Sequence, residues 1–237
     1  MNETGQKAVI VTGGSQGIGA GLVDGYRQRR WAVVTNSLNI KPSKDPDVLT
    51  VKGDISEQAT ADKIIGQALD RFGRVDTLIN NAGVFVSKPF TDYTAEDYAL
   101  VIGVNLAGFF WLTQRAIGQM LKQRSGHVVN ISASIADRAD SVEPTALTAL
   151  TKGGLAAVTK SLAVEYASRG IRVNAVAPGI IQTPLQPAES YTPEALTGKL
   201  PPLGRAGLVS DIVGGILYLE SAPYVTGEVL HIDGGRL

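Results

Sequence analysis

The 237-residue chain contains no cysteine. That excludes disulfide bonds, thiolate metal centres and a cysteine nucleophile, and it suits a reducing, cytoplasmic setting. Net charge is missing as well: 22 basic residues balance 22 acidic ones, so no basic field exists to draw the chain to nucleic acid or an anionic membrane. No run of about 18 apolar residues reads as a membrane span. The polar opening MNETGQK lacks an apolar stretch, so no signal peptide is expected. There are two histidines, His127 and His231, each read as a strand residue, and no His, Asp or Glu grouping has the spacing of metal ligands. No serine stands on the strand-to-helix elbow that a hydrolase nucleophile needs. No tyrosine occurs between Tyr98 and Tyr166.

What the chain does contain is an alternation of short β-branched runs with longer amphipathic segments. It predicts strands over 8–12, 32–36, 48–52, 77–80, 127–131, 171–176 and 229–232, and helices over 18–29, 60–72, 95–124, 149–169 and 210–220. Strands alternating with helices predict a parallel sheet covered on both faces, and the nearly continuous apolar character of the strand runs agrees. The length fits one α/β domain spanning 1–237. The longest irregular stretch, 178–205, is rich in Pro, Thr and Gly, and a lid is expected at about 183–205.

The sharpest local signal is at residues 8–19. Ala8-Val9-Ile10-Val11-Thr12 runs straight into Gly13-Gly14-Ser15-Gln16-Gly17-Ile18-Gly19. A buried strand followed by a glycine-rich turn and a helix start is a dinucleotide site: the missing Cβ atoms let a pyrophosphate approach the main chain, and the helix offers free N–H groups at its positive end. The end of the second strand reads Thr35-Asn36-Ser37-Leu38, with no carboxylate to bond a ribose hydroxyl and no arginine to take a phosphate. The lack of a repelling carboxylate, with Lys41 nearby, favours NADP slightly over NAD.

Thr12-Gly13-x-x-x-Gly17-Ile18-Gly19 resembles the glycine pattern of the short-chain dehydrogenase/reductase family, and further matches follow in order along the whole chain. They are Gly53-Asp54-Ile55, Asn80-Asn81-Ala82-Gly83, Asn105 in Val104-Asn105-Leu106, Pro178-Gly179-Ile180-Ile181-Gln182-Thr183 and Asp233-Gly234-Gly235. The resemblance implies a doubly wound seven-stranded parallel sheet in the order 3-2-1-4-5-6-7. It implies cofactor contacts from Gly13, Ser15, Gln16, Gly17, Ile18, Gly19, Ser37, Asp54, Ile55, Asn81, Ala82, Gly83, Lys152, Pro178, Gly179, Ile181 and Thr183. It also implies a homodimer or homotetramer paired through the helices near 95–124 and 149–169, and a small carbonyl or alcohol substrate.

The family's chemistry uses a tyrosine one helical turn before a lysine, with a serine upstream. Lys152 fits the lysine, but Thr148 stands four residues before it. Of the hydroxyls in Asn130-Ile131-Ser132-Ala133-Ser134, Ser134 is preferred by its separation from Thr148, although an ungapped match falls on Ala133. The candidate catalytic set is therefore Asn105, Ser134, Thr148 and Lys152. Three accounts stay open: a water relay from Lys152, a replacement side chain (Tyr191, or Asp137, Asp140 or Glu143), and a non-catalytic dinucleotide-binding protein acting as sensor or partner subunit.

Overall fold

The computed structural model describes residues 5–138, 143–184, 188–192, 196, 198 and 200–236. Seven strands, β1 (Ala8–Thr12), β2 (Ala32–Ser37), β3 (Val48–Lys52), β4 (Thr77–Asn80), β5 (Gly126–Ile131), β6 (Ile171–Pro178) and β7 (Val229–Ile232), form one sheet in the order β3-β2-β1-β4-β5-β6-β7. Every pairing is parallel. Helices α1 (Gly17–Gln28), α2 (Gln58–Phe72), α3 (Ala95–Ile102), α4 (Gly108–Gln123), α5 (Ala146–Tyr166) and α6 (Val209–Ser221) supply the crossovers.

Alternation along the strands divides the core. Ile10, Val34 and Leu78 face one side with Leu112, Ala116 and Met120 of α4 and Ile64 of α2. Val9, Val11 and Ile79 face the other with Leu22 and Tyr26 of α1 and Ile212 and Ile216 of α6. Each such fully buried aliphatic side chain contributes about 1.5–3 kcal/mol.

The strand order reverses between β1 and β4, and the crevice at their carboxyl ends is where an open α/β sheet takes its ligand. Threonine holds that junction: Thr12 Oγ1 accepts from Asn81 N (3.0 Å) and Ala82 N (2.9 Å) and donates to Ile79 O (3.3 Å).

The predicted helix 95–124 is divided. A π turn, Gly103–Ala107, joins α3 to α4, with the Gly108 N–H reaching Gly103 O. Among the described residues, Ala95–Gln123 is the one helical run long and apolar enough to cross a membrane by length and composition, and here α4 packs on α2 and the sheet. Helix α5 starts at Ala146, ahead of the predicted 149, which puts Thr148 inside its first turn and one turn from Lys152.

Candidate active site

A cavity of about 560 Å³ opens along the carboxyl ends of the central strands. Its walls bring together Gly13, Ser15, Gln16, Gly17, Ile18, Gly19, Ser37, Asp54, Ile55, Asn81, Ala82 and Gly83 with Thr148, Lys152, Pro178, Gly179, Ile181 and Thr183. Asn36, Leu38, Gly53, Val84, Phe85, Leu100, Val104, Ile131, Ser132, Ala133 and Ile135 complete it. Of these, Val84, Phe85, Leu100 and Ile135 stood in no motif, because an apolar side chain on a cavity wall carries no sequence signature of its own.

The glycine turn is tight for physical reasons. Gly13 sits at φ +68°, and a Cβ there would come within 3.0 Å of Ala82 Cα. A Cβ at Gly19 would lie 2.2 Å from Gly13 O, so only glycine lets α1 seat against the turn. Gln16 caps α1 without any side-chain hydrogen bond, and the first turn holds no acidic residue. The amide groups at this helix start therefore face the cavity uncapped, as an anion requires. Asn81 spends its side-chain N–H on Thr12 O (2.8 Å) and Gly13 O (3.3 Å), bracing the turn.

At the β2 and β3 end, Ser15 Oγ and Ser37 Oγ lie 3.0 Å apart at the cavity wall. Asn36 is buried, and its amide bonds Val51 O (2.9 Å) and Gly53 O (3.1 Å), which fixes the neighbouring β3 terminus. Asp54 accepts from Ser56 N (2.9 Å) and Ser56 Oγ (2.8 Å), a local turn that presents its backbone to the cavity.

At the opposite end Lys152 is held from both sides. Its Nζ donates to Ile131 O (2.7 Å), and its carbonyl accepts from Ser132 Oγ (2.8 Å). Burial lowers the ammonium pKa to about 8. Asn105, in the π turn, is buried behind this wall: Oδ1 accepts from Val84 N (2.9 Å), while Nδ2 donates to Val84 O (3.1 Å) and Thr151 Oγ1 (3.1 Å). Thr151 Oγ1 in turn donates to Thr148 O (3.0 Å). A Cβ at Gly83 would stand 3.1 Å from Lys152 Nζ and 3.4 Å from Asn105 Oδ1, so these three converge. Thr148 Oγ1 is buried at the cavity wall with no hydrogen-bond partner.

Several expected site residues lie off the cavity wall. Ser134 is 1% exposed and is absent from the cavity wall, whereas Ala133 is on it. The reason is the backbone: Ala133 is extended (φ −162°), and the chain turns into a 3₁₀ helix, Ser134–Ala136, that carries Ser134 inward. Tyr191 is not among the residues on the cavity wall. Its hydroxyl accepts from Thr183 N (3.3 Å) and donates to Thr183 O (3.2 Å). Asp137 pairs with His231 Nε2 (2.9 Å), and neither it nor Glu143 lines the cavity. Asp140 lies outside the described residues.

Residues 13–236 match the family described as Enoyl-(Acyl carrier protein) reductase. The chain is 35% identical to 3beta-hydroxysteroid dehydrogenase 1 of Eggerthella lenta, over 97% of this chain and 93% of that protein. It belongs to the short-chain dehydrogenase/reductase family. Another short-chain dehydrogenase/reductase relative, the 3-oxoacyl-[acyl-carrier-protein] reductase FabG of Thermotoga maritima, is 34% identical over 97% of each chain. Among solved structures, ElxO with NADP bound is 30% identical with a TM-score of 0.90, covering 98% of each chain. The shared architecture explains why the short-chain dehydrogenase/reductase glycine turn, Lys152 and the Pro178-Gly179 segment meet around one cavity although they are far apart in sequence.

Proposed function

We propose that this chain is an NADP-dependent oxidoreductase acting on a carbonyl or alcohol, with Lys152 as the source of the proton for the substrate oxygen. The residues fit a dinucleotide: the uncapped α1 start and the glycine turn suit its phosphates, and on the same cavity wall Asp54 and Ile55 would flank its adenine and Ile181 and Thr183 would hold its carboxamide, as the family resemblance implies. The Ser15 and Ser37 hydroxyl pair, with no carboxylate beside it, suits a 2′-phosphate, and relatives of known structure bind NADP. When bound, the nicotinamide supplies or accepts the hydride.

The protein's task is then the proton. The observation that carries this reading is Lys152 at the cavity wall, one helical turn from Thr148. A carbonyl reduced by hydride needs a proton on oxygen to leave as an alcohol. An ammonium with a pKa of about 8 is a stronger acid than a phenol near 10, and far stronger than the Thr148 hydroxyl. Thr148 stands where the family's tyrosine is expected and Ala133 where its serine is expected, so Lys152 delivers the proton through a water or through the Thr148 hydroxyl. Asn105 positions this assembly by fixing Val84 and Thr151. Of the lid expected at about 183–205, residues 185–187, 193–195, 197 and 199 lie outside the described residues.

Helix surfaces support a homodimer or homotetramer. Phe110 on α4 and Leu150 and Val164 on α5 are exposed apolar side chains on the helices expected to pair. The test of function is direct. NADPH oxidation with a panel of ketones and aldehydes is expected, and Lys152→Ala abolishes it. Measurable NADPH binding with no turnover across the panel favours the second reading, a non-catalytic dinucleotide-binding protein, which the Thr148 and Ala133 positions support.

A further inference from the structure

We propose, resting on the oxidoreductase reading, that Asp233 is a positioning residue: it braces the two strand ends beside the reacting centre, β5 through Arg138 and β6 through Gly179. Asp233 follows β7 and lines no part of the active-site cavity, yet it is joined to two of the segments that do. In the sheet β6 lies between β5 and β7, so a side chain at the end of β7 reaches the loop after β5 by passing over the end of β6. Gly179 makes that crossing possible. A Cβ there would stand 2.7 Å from Asp233 Cα and 2.8 Å from Asp233 Cβ. Pro178 pairs with Ile232, and Gly179 N donates to Ile232 O (3.0 Å), so the backbone before Asp233 is already registered on the Pro178-Gly179 wall.

From this seat Asp233 Oδ2 accepts from Arg138 Nη1 (2.9 Å), and Oδ1 accepts from Gly235 N (3.1 Å). The Asp233 side chain is 5% exposed, so solvent screens the pair little, and removing one partner leaves the other charge uncompensated. Arg138 passes the restraint on. Its backbone N–H donates to Ser134 O (3.2 Å), closing the turn whose flanking residues Ala133 and Ile135 stand on the cavity wall. The neighbouring pair, Asp137 with His231 (2.9 Å), ties the same loop two residues earlier on β7, but its partners are far more exposed and it contributes less. The brace thus fixes Ala133 and Ile135 relative to Pro178, Gly179 and Ile181, and a substrate carbonyl would meet the nicotinamide between these walls. Hydride transfer tolerates little misplacement: an error of about 1 Å costs on the order of a hundredfold in rate. Loosening the brace therefore lowers kcat, while NADPH binding, which draws on the glycine turn as well, is largely kept.

The test is a double-variant cycle on the NADPH-loaded protein with Arg138→Met, Asp233→Asn and the two combined, using cyclohexanone, benzaldehyde and ethyl acetoacetate as probes. Each single variant is expected to lower kcat per bound NADPH by about tenfold or more, while KM and the NADPH dissociation constant move by less than about threefold. The double variant falls no further than the worse single one. Arg138→Lys keeps a cation for the one guanidinium contact and is expected to recover most of the loss. A merely structural role would lower the melting temperature and leave kcat per bound NADPH within about threefold of the parent, and that result overturns the proposal. Losses that multiply in the double variant overturn it too. If the parent turns over none of the probes, the oxidoreductase reading fails, and hydrogen–deuterium exchange of the NADPH-loaded protein decides the brace separately. There Arg138→Met is expected to speed exchange in 179–183 as well as in its own loop, and acceleration confined to 132–138 overturns the brace.

Discussion

Lys152 is a buried ammonium with hydrogen bonds and, among the described residues, no carboxylate near enough to lower its acidity; desolvation brings its pKa down to about 8. If it is the proton donor, reduction needs its protonated form. The sign follows: kcat/KM for ketone reduction stays level below about 8 and falls as pH rises past that value, in proportion to the lost ammonium fraction. Alcohol oxidation, which needs the neutral amine, shows the opposite limb. A stopped-flow pH series checks both, and a profile flat from pH 6 to 10 would remove Lys152 from the proton path. At the other end of the cavity, Ser37→Asp places a carboxylate beside Ser15. Like-charge repulsion should then turn an NADPH preference into an NADH preference, read as a change of tenfold or more in the ratio of kcat/KM values. Lys152 was legible in the sequence because a helix fixes its spacing to Thr148. The choice between Ala133 and Ser134 was not legible, since it depends on where an extended strand end becomes a 3₁₀ turn, and no residue in Ser132-Ala133-Ser134 marks that point.

Among the elements, the strand-turn-helix unit of β1 and α1 is the most constrained. Gly19 faces Gly13 O so closely that a methyl group would sit 2.2 Å from a backbone oxygen, which cannot move without opening the turn. Gly19→Ala is expected to cost about 1–3 kcal/mol and to weaken NADPH binding by more than tenfold. Thermal denaturation and fluorescence titration measure the two losses, and an unchanged dissociation constant would refute this account of the turn. β1 and β4 were readable because a strand buried on both faces requires an apolar run, and the partly buried edge strands β3 and β7 also fall where the β-branched runs do. β6 outruns its predicted end because its last residues, through Pro178, find partners on β7, a tertiary pairing that no local run encodes. The π turn holding Asn105 was hidden for a similar reason. Its extra residue is a backbone event inside a sequence that keeps its helical apolar spacing.

Across the whole molecule, the end of the sheet away from the cavity is tied by one buried polar network around His127, which the sequence offered only as a strand residue. Glu220 Oε2 of α6 accepts from Tyr26 of α1 (2.9 Å), Thr77 of β4 (2.9 Å) and His127 Nδ1 of β5 (3.2 Å). On the far side of the ring, His127 Nε2 faces Asn174 Nδ2 (3.1 Å) and Arg172 Nη1 (3.5 Å), both of which are donors. That arrangement accepts a neutral imidazole and rejects a second ring proton. Burial holds the His127 pKa below 6.5, and Arg172 adds to that, outweighing the pull of Glu220. Burial alone would raise Glu220, but its bonds from His127, Thr77 and Tyr26 prevail and keep its pKa below 4.5. Both groups act in the same direction on stability. The unfolded chain binds the histidine proton near 6.5 and the carboxyl proton near 4.5, whereas the folded chain resists each, so stability is full above about 6.5 and declines as pH falls. His127→Gln keeps a donor for Glu220 and removes the titration. Its melting temperature should therefore drop less between pH 7.5 and 5.5 than that of the parent, even if it starts lower. Equal drops in the two proteins would show that some other group carries the acid sensitivity of this fold.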